Sequence, residues 1–226
     1  MTRKILIVED TPTIARVQKH IALKAGYEVD IAESLAATKE LIKHNSYFCA
    51  VVDFILPDAP AGEAIPYTIN ADIPTIVMTG NIDKQTRDTV EKYPIIDYII
   101  KENKQAYQYL EKQLSRLPRN ENVKVLVVDD STSTRRYICS LLKRHKYQIL
   151  EAKDGKDALE VLESQKDVSV IITDNEMPNM NGDELCAEIR RLYSNDEKAI
   201  IGISGADSSA LSSLFFNSLN ITVSPT

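Results

Sequence analysis

The stretch KILIVEDTPTIARVQKHIALKAGYEVDIAES, Lys4 to Ser34, decides the reading of this chain, because KVLVVDDSTSTRRYICSLLKRHKYQILEAKD, Lys124 to Asp154, repeats its pattern at an offset of 120. Each segment opens with an apolar β-branched run and breaks on two adjacent acids. Each then continues as an amphipathic stretch and closes on a second short run. Downstream, AVVDFILPDAPAGE around Asp53 pairs with VIITDNEMPNMNGDE around Asp174, and PTIVMTGN around Thr79 pairs with AIIGISGA around Ser204. The same landmarks return in the same order, the mark of one fold used twice.

The 226 residues suffice for two compact domains, each with its own apolar core. A 43% hydrophobic share, a 27% charged share and only 7 Gly and 9 Pro describe a folded, soluble chain. No apolar run approaches the roughly 20 residues that span a bilayer. MTRKILIVED meets acid too soon for a secretory signal, so a cytoplasmic location and no membrane partner are expected. Cys49, Cys139 and Cys186 are scattered, which suits buried thiols better than disulfides or a zinc site. The net charge of -6 argues against direct nucleic-acid binding. Arg135, Arg136 and the basic residues from Lys143 to Lys146 form a helix face that reads as solvated or as a partner contact.

Short β-branched runs alternating with longer amphipathic stretches predict a parallel sheet wrapped by helices. In the first unit the strands are expected at Ile5 to Val8, Glu28 to Ala32, Phe48 to Val52, Thr75 to Met78 and Asp97 to Ile100, with a final helix from about Asn103 to Leu117. Thr11 and Pro12 suit a helix start, the first as a capping oxygen and the second as a residue whose missing N–H is harmless; Gly26 suits the exit. A polar joint is expected from Pro118 to Asn122. The domains are expected at 1–118 and 123–226, with 119–122 as linker.

In such a sheet, ligands gather beyond the C-terminal strand ends, which is where the acids fall. Glu9 and Asp10 follow the first strand and Asp53 the third; Asp129, Asp130 and Asp174 repeat this. Three converging carboxylates repel one another unless a hard cation lies between them, and magnesium (Mg2+) suits so small a set of protein oxygens. Thr79 and Ser204 end the fourth strands, each before a Gly, and could donate to a phosphate oxygen. Lys101 supplies a compact cation after the fifth strand.

Acid pair, lone Asp, hydroxyl and Lys together resemble the receiver domains of two-component response regulators, of the chemotaxis-regulator kind. The resemblance implies two flavodoxin-like doubly wound five-stranded parallel sheets in tandem. It implies that Asp53 and Asp174 accept phosphate from a histidine kinase or histidine phosphotransfer protein. Asp10 and Asp130 then ligate magnesium directly, Glu9 and Asp129 act through water, and the backbone carbonyls of Ile55 and Glu176 complete the shell. Thr79, Ser204 and Lys101 bind phosphoryl oxygens, and Thr79 with Tyr98 forms a switch. Tandem receivers of this family often precede an output domain, commonly a diguanylate cyclase, and a homodimer is a further expectation. The chain itself is expected to be no enzyme beyond its own phosphoryl chemistry.

The copies differ. Pro178 and Gly182 lie four and eight residues after Asp174, whereas Gly62 lies nine after Asp53, so the first loop carries one more residue. Glu102 stands where the family usually has Pro after the Lys. Counting from Ser204 by the Thr79-to-Lys101 interval lands on Thr226, so no second Lys is found. LNITVSPT could supply a partial fifth strand, and the second unit reads as truncated without its last helix. A haloacid-dehalogenase-type phosphatase is disfavoured because it wants DxD after the first strand. A dinucleotide-binding fold is disfavoured because EDTPT and DDSTS lack a glycine-rich turn. The stronger rival is that one receiver is degenerate and serves as a dimerisation or docking module.

Overall fold

The computed structural model describes residues 2–80 and 83–203, the side chain of Gln85 apart. The chain divides into two compact units, Met1–Leu117 and Pro118–Thr226. In the first, β1 (Lys4–Val8), α1 (Pro12–Lys24), β2 (Glu28–Ala32), α2 (Leu35–His44) and β3 (Cys49–Asp53) follow one another. Then come α3 (Ala64–Asn70), β4 (Thr75–Thr79), α4 (Lys84–Val90), β5 (Asp97–Ile100) and α5 (Lys104–Asn120). The second holds β6 (Lys124–Val128), α6 (Thr132–Arg144), β7 (Gln148–Ala152), α7 (Gly155–Ser164), β8 (Val168–Asp174), α8 (Gly182–Leu192) and β9 (Ala199–Ile203).

Both sheets are parallel, with strand orders β2-β1-β3-β4-β5 and β7-β6-β8-β9. This is the doubly wound arrangement, with the order reversing beside β1 and again beside β6. Because side chains alternate along a strand, each strand feeds two cores. Ile5, Ile7, Val51, Ile76 and Met78 pack toward Leu110 and Leu114 of α5, while Leu6, Val8, Val52 and Val77 pack with Ile65 on the other face. Val125, Val127, Val170 and Ile172 repeat the first set around Ile138, and Leu126, Val128 and Ile171 repeat the second around Leu185 and Ile189. Cys49 is buried, Cys139 and Cys186 are half-buried, and none is paired. Ser204 and LNITVSPT lie outside the described residues.

Two helix ends depart from the expectation. Pro12 opens α1, but the Thr11 side chain makes no capping hydrogen bond; its backbone N–H donates instead to Glu9 Oε1 at 3.2 Å. Gly26 does supply the exit, with φ of 87°. α5 does not stop at Leu117 but runs through Pro118 to Asn120, helical where a polar joint was expected. Proline removes the helical donor to the carbonyl four residues back. That carbonyl, Leu114 O, accepts the Tyr27 hydroxyl at 2.7 Å instead.

The extra residue in the first unit's loop also has a counterpart. β6 pairs Lys124 with Val168 but Val125 with Val170, so Ser169 is a bulge in β8. The insertion before Asp174 and the insertion after Asp53 cancel, which returns Gly62 and Gly182 to an offset of 120.

Candidate functional site

The strands place the expected residues of the first unit at one sheet edge. Glu9 and Asp10 leave β1, Asp53 ends β3, Thr79 ends β4 and Lys101 follows β5. The register sets Asp53 beside Met78 and Thr79 beside Ile100, and the Lys101 N–H closes the edge by donating to Thr79 O at 2.8 Å. Lys101 Nζ lies 2.7 Å from Asp53 Oδ2 and 2.5 Å from Glu9 Oε2, its side chain 7% exposed. The Ile55 N–H faces Asp53 Oδ1 at 3.4 Å.

Glu9 is fully buried. Burial pushes its carboxyl above the usual carboxylate range, against the opposing pull of Lys101. The Thr11 N–H and Gln18 Nε2 donate to its two oxygens at 3.2 and 3.3 Å. Carboxylate oxygens of Glu9, Asp10 and Asp53 lie within 4.8 Å of one another. A magnesium octahedron with metal–oxygen distances of about 2.0–2.1 Å spans about 4 Å between opposite oxygens, so an acidic cluster of this size suits that ion. Three carboxylates against one ammonium also leave a formal charge that a divalent cation balances. Glu9 is engaged by Lys101, Thr11 and Gln18, and Asp53 by Lys101 and the Ile55 N–H.

In the second unit Asp129 and Asp130 follow β6 and Asp174 ends β8. Asp129 is buried and accepts the Ser131 N–H at 2.8 Å. Desolvation raises its carboxyl, and repulsion from Asp174 and Asp130 adds to the rise. Asp174 is half-buried and accepts the Asn175 N–H at 2.8 Å, while Asp130 and Glu176 are exposed. Ser204 falls outside the described residues. Arg135 is not a solvated member of a basic face: it donates to Asp129 O at 2.7 Å and pairs with Glu151 at 2.9 Å, its side chain only 15% exposed.

Tyr98 is half-buried and sits beside Val77 in the register, on the sheet face that Val77 shares with Thr79. The loops after β3 and β8 are tied to the neighbouring helix by different groups. Asp58 accepts the Leu35 and Ala36 N–H groups at 2.8 and 2.9 Å, capping α2. In the second unit Met180 O takes the Gly155 N–H at 3.3 Å, and Asn179 donates to Asp154 at 2.7 Å. A Cβ on Gly155 would lie 2.6 Å from Met180 Cγ. Sequence reasoning passed over Asp58 and Gln18; for Gln18 the signal was available, since Ile138 stands 120 residues later.

The family model for the response regulator receiver domain matches residues 5–112 and again 125–215. The chain belongs to the response regulator receiver family. Two solved structures of two-component system response regulator/GGDEF domain proteins align with 95% of this chain and 87% of theirs. They do so at TM-scores of 0.79 and 0.78 and at 34% and 33% identity. Among sequence relatives, chemotaxis protein CheY1 of Helicobacter pylori is 46% identical over 30% of this chain and 56% of its own. Two-component response regulator ORR7 of Oryza sativa subsp. japonica is 47% identical over 29% of this chain and 31% of its own. The matched stretch thus spans less than two thirds of either relative. Both units are receivers of the flavodoxin-like fold that the resemblance implied. Among the described residues, no helix is long and apolar enough to cross a membrane.

Proposed function

We propose that each receiver takes a phosphoryl group onto its strand-end aspartate, Asp53 and Asp174, from the phosphohistidine of a histidine kinase or histidine phosphotransfer protein. The observation that supports this most directly is Lys101, held 2.7 Å from Asp53 at an edge shared with Glu9, Asp10 and Thr79. An Asp53 oxygen attacks phosphorus, the P–N bond to the donor imidazole breaks with its electrons leaving on nitrogen, and an acyl phosphate remains. Lys101 then passes from the carboxylate to a phosphoryl oxygen, and the Thr79 hydroxyl donates to another. Magnesium bound at the carboxylates would neutralise charge on the phosphoryl oxygens. Asp10, Asp53 and the Ile55 carbonyl would hold it, as would Asp130, Asp174 and the Glu176 carbonyl in the second receiver, with Glu9 and Asp129 outside.

The new bond biases two conformers through Thr79 and Tyr98, for which a difference of a few kcal/mol suffices. In this reading the chain works in the cytoplasm and controls an output activity such as a diguanylate cyclase. The response regulator/GGDEF neighbours support that choice. Intact mass after incubation with magnesium and a small phosphodonor tests it, comparing wild type with Asp53→Asn, Asp174→Asn and the double variant. Adducts lost only with the matching aspartate support the reading. A receiver that takes no phosphate from any donor or kinase is instead the docking module.

A further inference from the structure

Gln18 lies on the face of α1 that packs on the sheet, with Ala15, Ile21 and Ala22. It is 1% exposed, in a place where amides are seldom buried. Its counterpart Ile138 is apolar and wholly buried. Gln18 Nε2 lies 3.3 Å from Glu9 Oε2 and 3.3 Å from Met78 Sδ, while its Oε1 is buried with no hydrogen-bond partner. A buried acceptor left unmade is costly, so the amide is oriented by what its nitrogen serves. Turned over, it would set Oε1 against the Glu9 carboxylate.

The second receiver differs at all three positions together. Asp129 replaces Glu9, Ile138 replaces Gln18, and Ile203, which stands beside Asp174, replaces Met78, which stands beside Asp53. Asp129 is one methylene shorter; like Glu9, which accepts the Thr11 N–H, it accepts the backbone N–H two residues on, from Ser131. The longer Glu9 carboxylate reaches further in, where only a side chain can supply the inner hydrogen bond.

We propose that Gln18 is a positioning residue of the first receiver, holding the Glu9 carboxylate inward against Lys101 so that Asp10 and Asp53 are left to face the cation. Glu9 and Gln18 form one unit, exchanged as a unit for Asp129 and Ile138. This rests on the reading of the first receiver as a magnesium-dependent phosphoacceptor.

The test uses the full chain carrying Asp174→Asn, so that only Asp53 reports. It compares Gln18→Ile, Glu9→Asp and the pair together. Two quantities are read: the magnesium concentration that half-saturates Asp53 labelling by acetyl phosphate, and, without phosphodonor, the magnesium-induced shift of the Gln18 side-chain amide resonance. Gln18→Ile alone raises the half-saturating concentration about tenfold, the lower end of the range for groups that orient metal ligands, because Glu9 itself stays outside the ion. Its melting temperature is kept or raised, because an unsatisfied buried oxygen is removed. The double variant, which carries the second receiver's residues at two of these three positions, recovers to within about threefold of wild type. An unmoved amide resonance, a Gln18→Ile chain within twofold of wild type, or a double variant no better than Gln18→Ile overturns the proposal. An unlabelled Asp53 in the parent chain removes the phosphoacceptor reading, and this inference with it.

Discussion

Lys101 Nζ stands between two carboxylates, 2.7 Å from Asp53 and 2.5 Å from Glu9, in a pocket that buries all three side chains. It is the positive charge seen to contact both acids. Replacing it by Met leaves a cluster of carboxylates without that counter-charge, at a cost of about 1–3 kcal/mol in the absence of divalent ions. Denaturant titrations in EDTA and in magnesium should therefore show a larger magnesium stabilisation in Lys101→Met than in wild type. Asp53 labelling should slow by about tenfold or more. Equal magnesium increments in the two proteins would show that Lys101 does not balance these charges.

Another carboxylate is buried at the opposite end of β5. Asp97 accepts the Tyr109 hydroxyl at 2.6 Å, Gln113 Nε2 at 3.2 Å and its neighbour's N–H at 2.8 Å. Burial nonetheless pushes its carboxyl up to about 6 from 3.8. The folded state therefore binds this proton more tightly than the unfolded state. The stabilisation is complete below about pH 4 and disappears as the pH rises through about 6. Between pH 4 and 7 the stability difference between Asp97→Asn and wild type should change by roughly 2–3 kcal/mol in favour of the variant. Parallel pH profiles for the two proteins would place the proton elsewhere.

Tyr27 and Pro118 predict a coupled pair. Removing the hydroxyl in Tyr27→Phe strands Leu114 O inside α5 and costs about 1 kcal/mol. Pro118→Ala restores the helical N–H that can serve the same carbonyl. In a double-mutant cycle the Tyr27→Phe penalty should shrink by at least about 0.5 kcal/mol in the Pro118→Ala background. Additive effects would mean that the carbonyl has another donor.

Gly26 and Gly62 share a left-handed backbone, with φ of 87° and 81°, but not the same surroundings. A Cβ on Gly26 meets nothing within 4 Å, whereas one on Gly62 lies 2.7 Å from the Phe54 ring. Gly26→Ala should cost about 1 kcal/mol for backbone conformation alone. Gly62→Ala should cost on the order of 3 kcal/mol and disturb the chain next to Asp53. Urea midpoints for the two variants decide this, and equal losses would contradict the Phe54 contact.

Strand content was legible because the central parallel strands, buried on both faces, are written as largely apolar runs. β2 and β5 fall on the expected residues, β1 and β4 are each longer by one residue at one end, and β3 is shifted by one residue at both. The site followed from the same logic, since Glu9, Asp10, Asp53, Thr79 and Lys101 each stand at or just beyond the end of a strand. What escaped was set by contacts remote in sequence. Pro118 reads as a stop because its rescuing donor, Tyr27, is 87 residues from the carbonyl it serves. The loop insertion after Asp53 reads as an irregularity because the compensating bulge at Ser169 lies inside a strand and changes no motif. Gln18 escapes notice because helical periodicity alone does not say that the face beneath it carries a buried carboxylate.

The ties between each loop and its neighbouring helix bear on how such receivers can be rebuilt. Leu35 can begin α2 because the Asp58 side chain reaches up to the helix amides, while α7 must begin with Gly155 because the Met180 backbone comes down onto it. The loop beyond the strand-end aspartate and the first residue of the preceding helix are thus a single transplantable cassette, although some 25 residues of chain separate them. Grafting DNEMPNMNG into the first receiver while Leu35 stays would drive a side chain into Met180. Moved together with a glycine at position 35, the same graft meets no such obstruction.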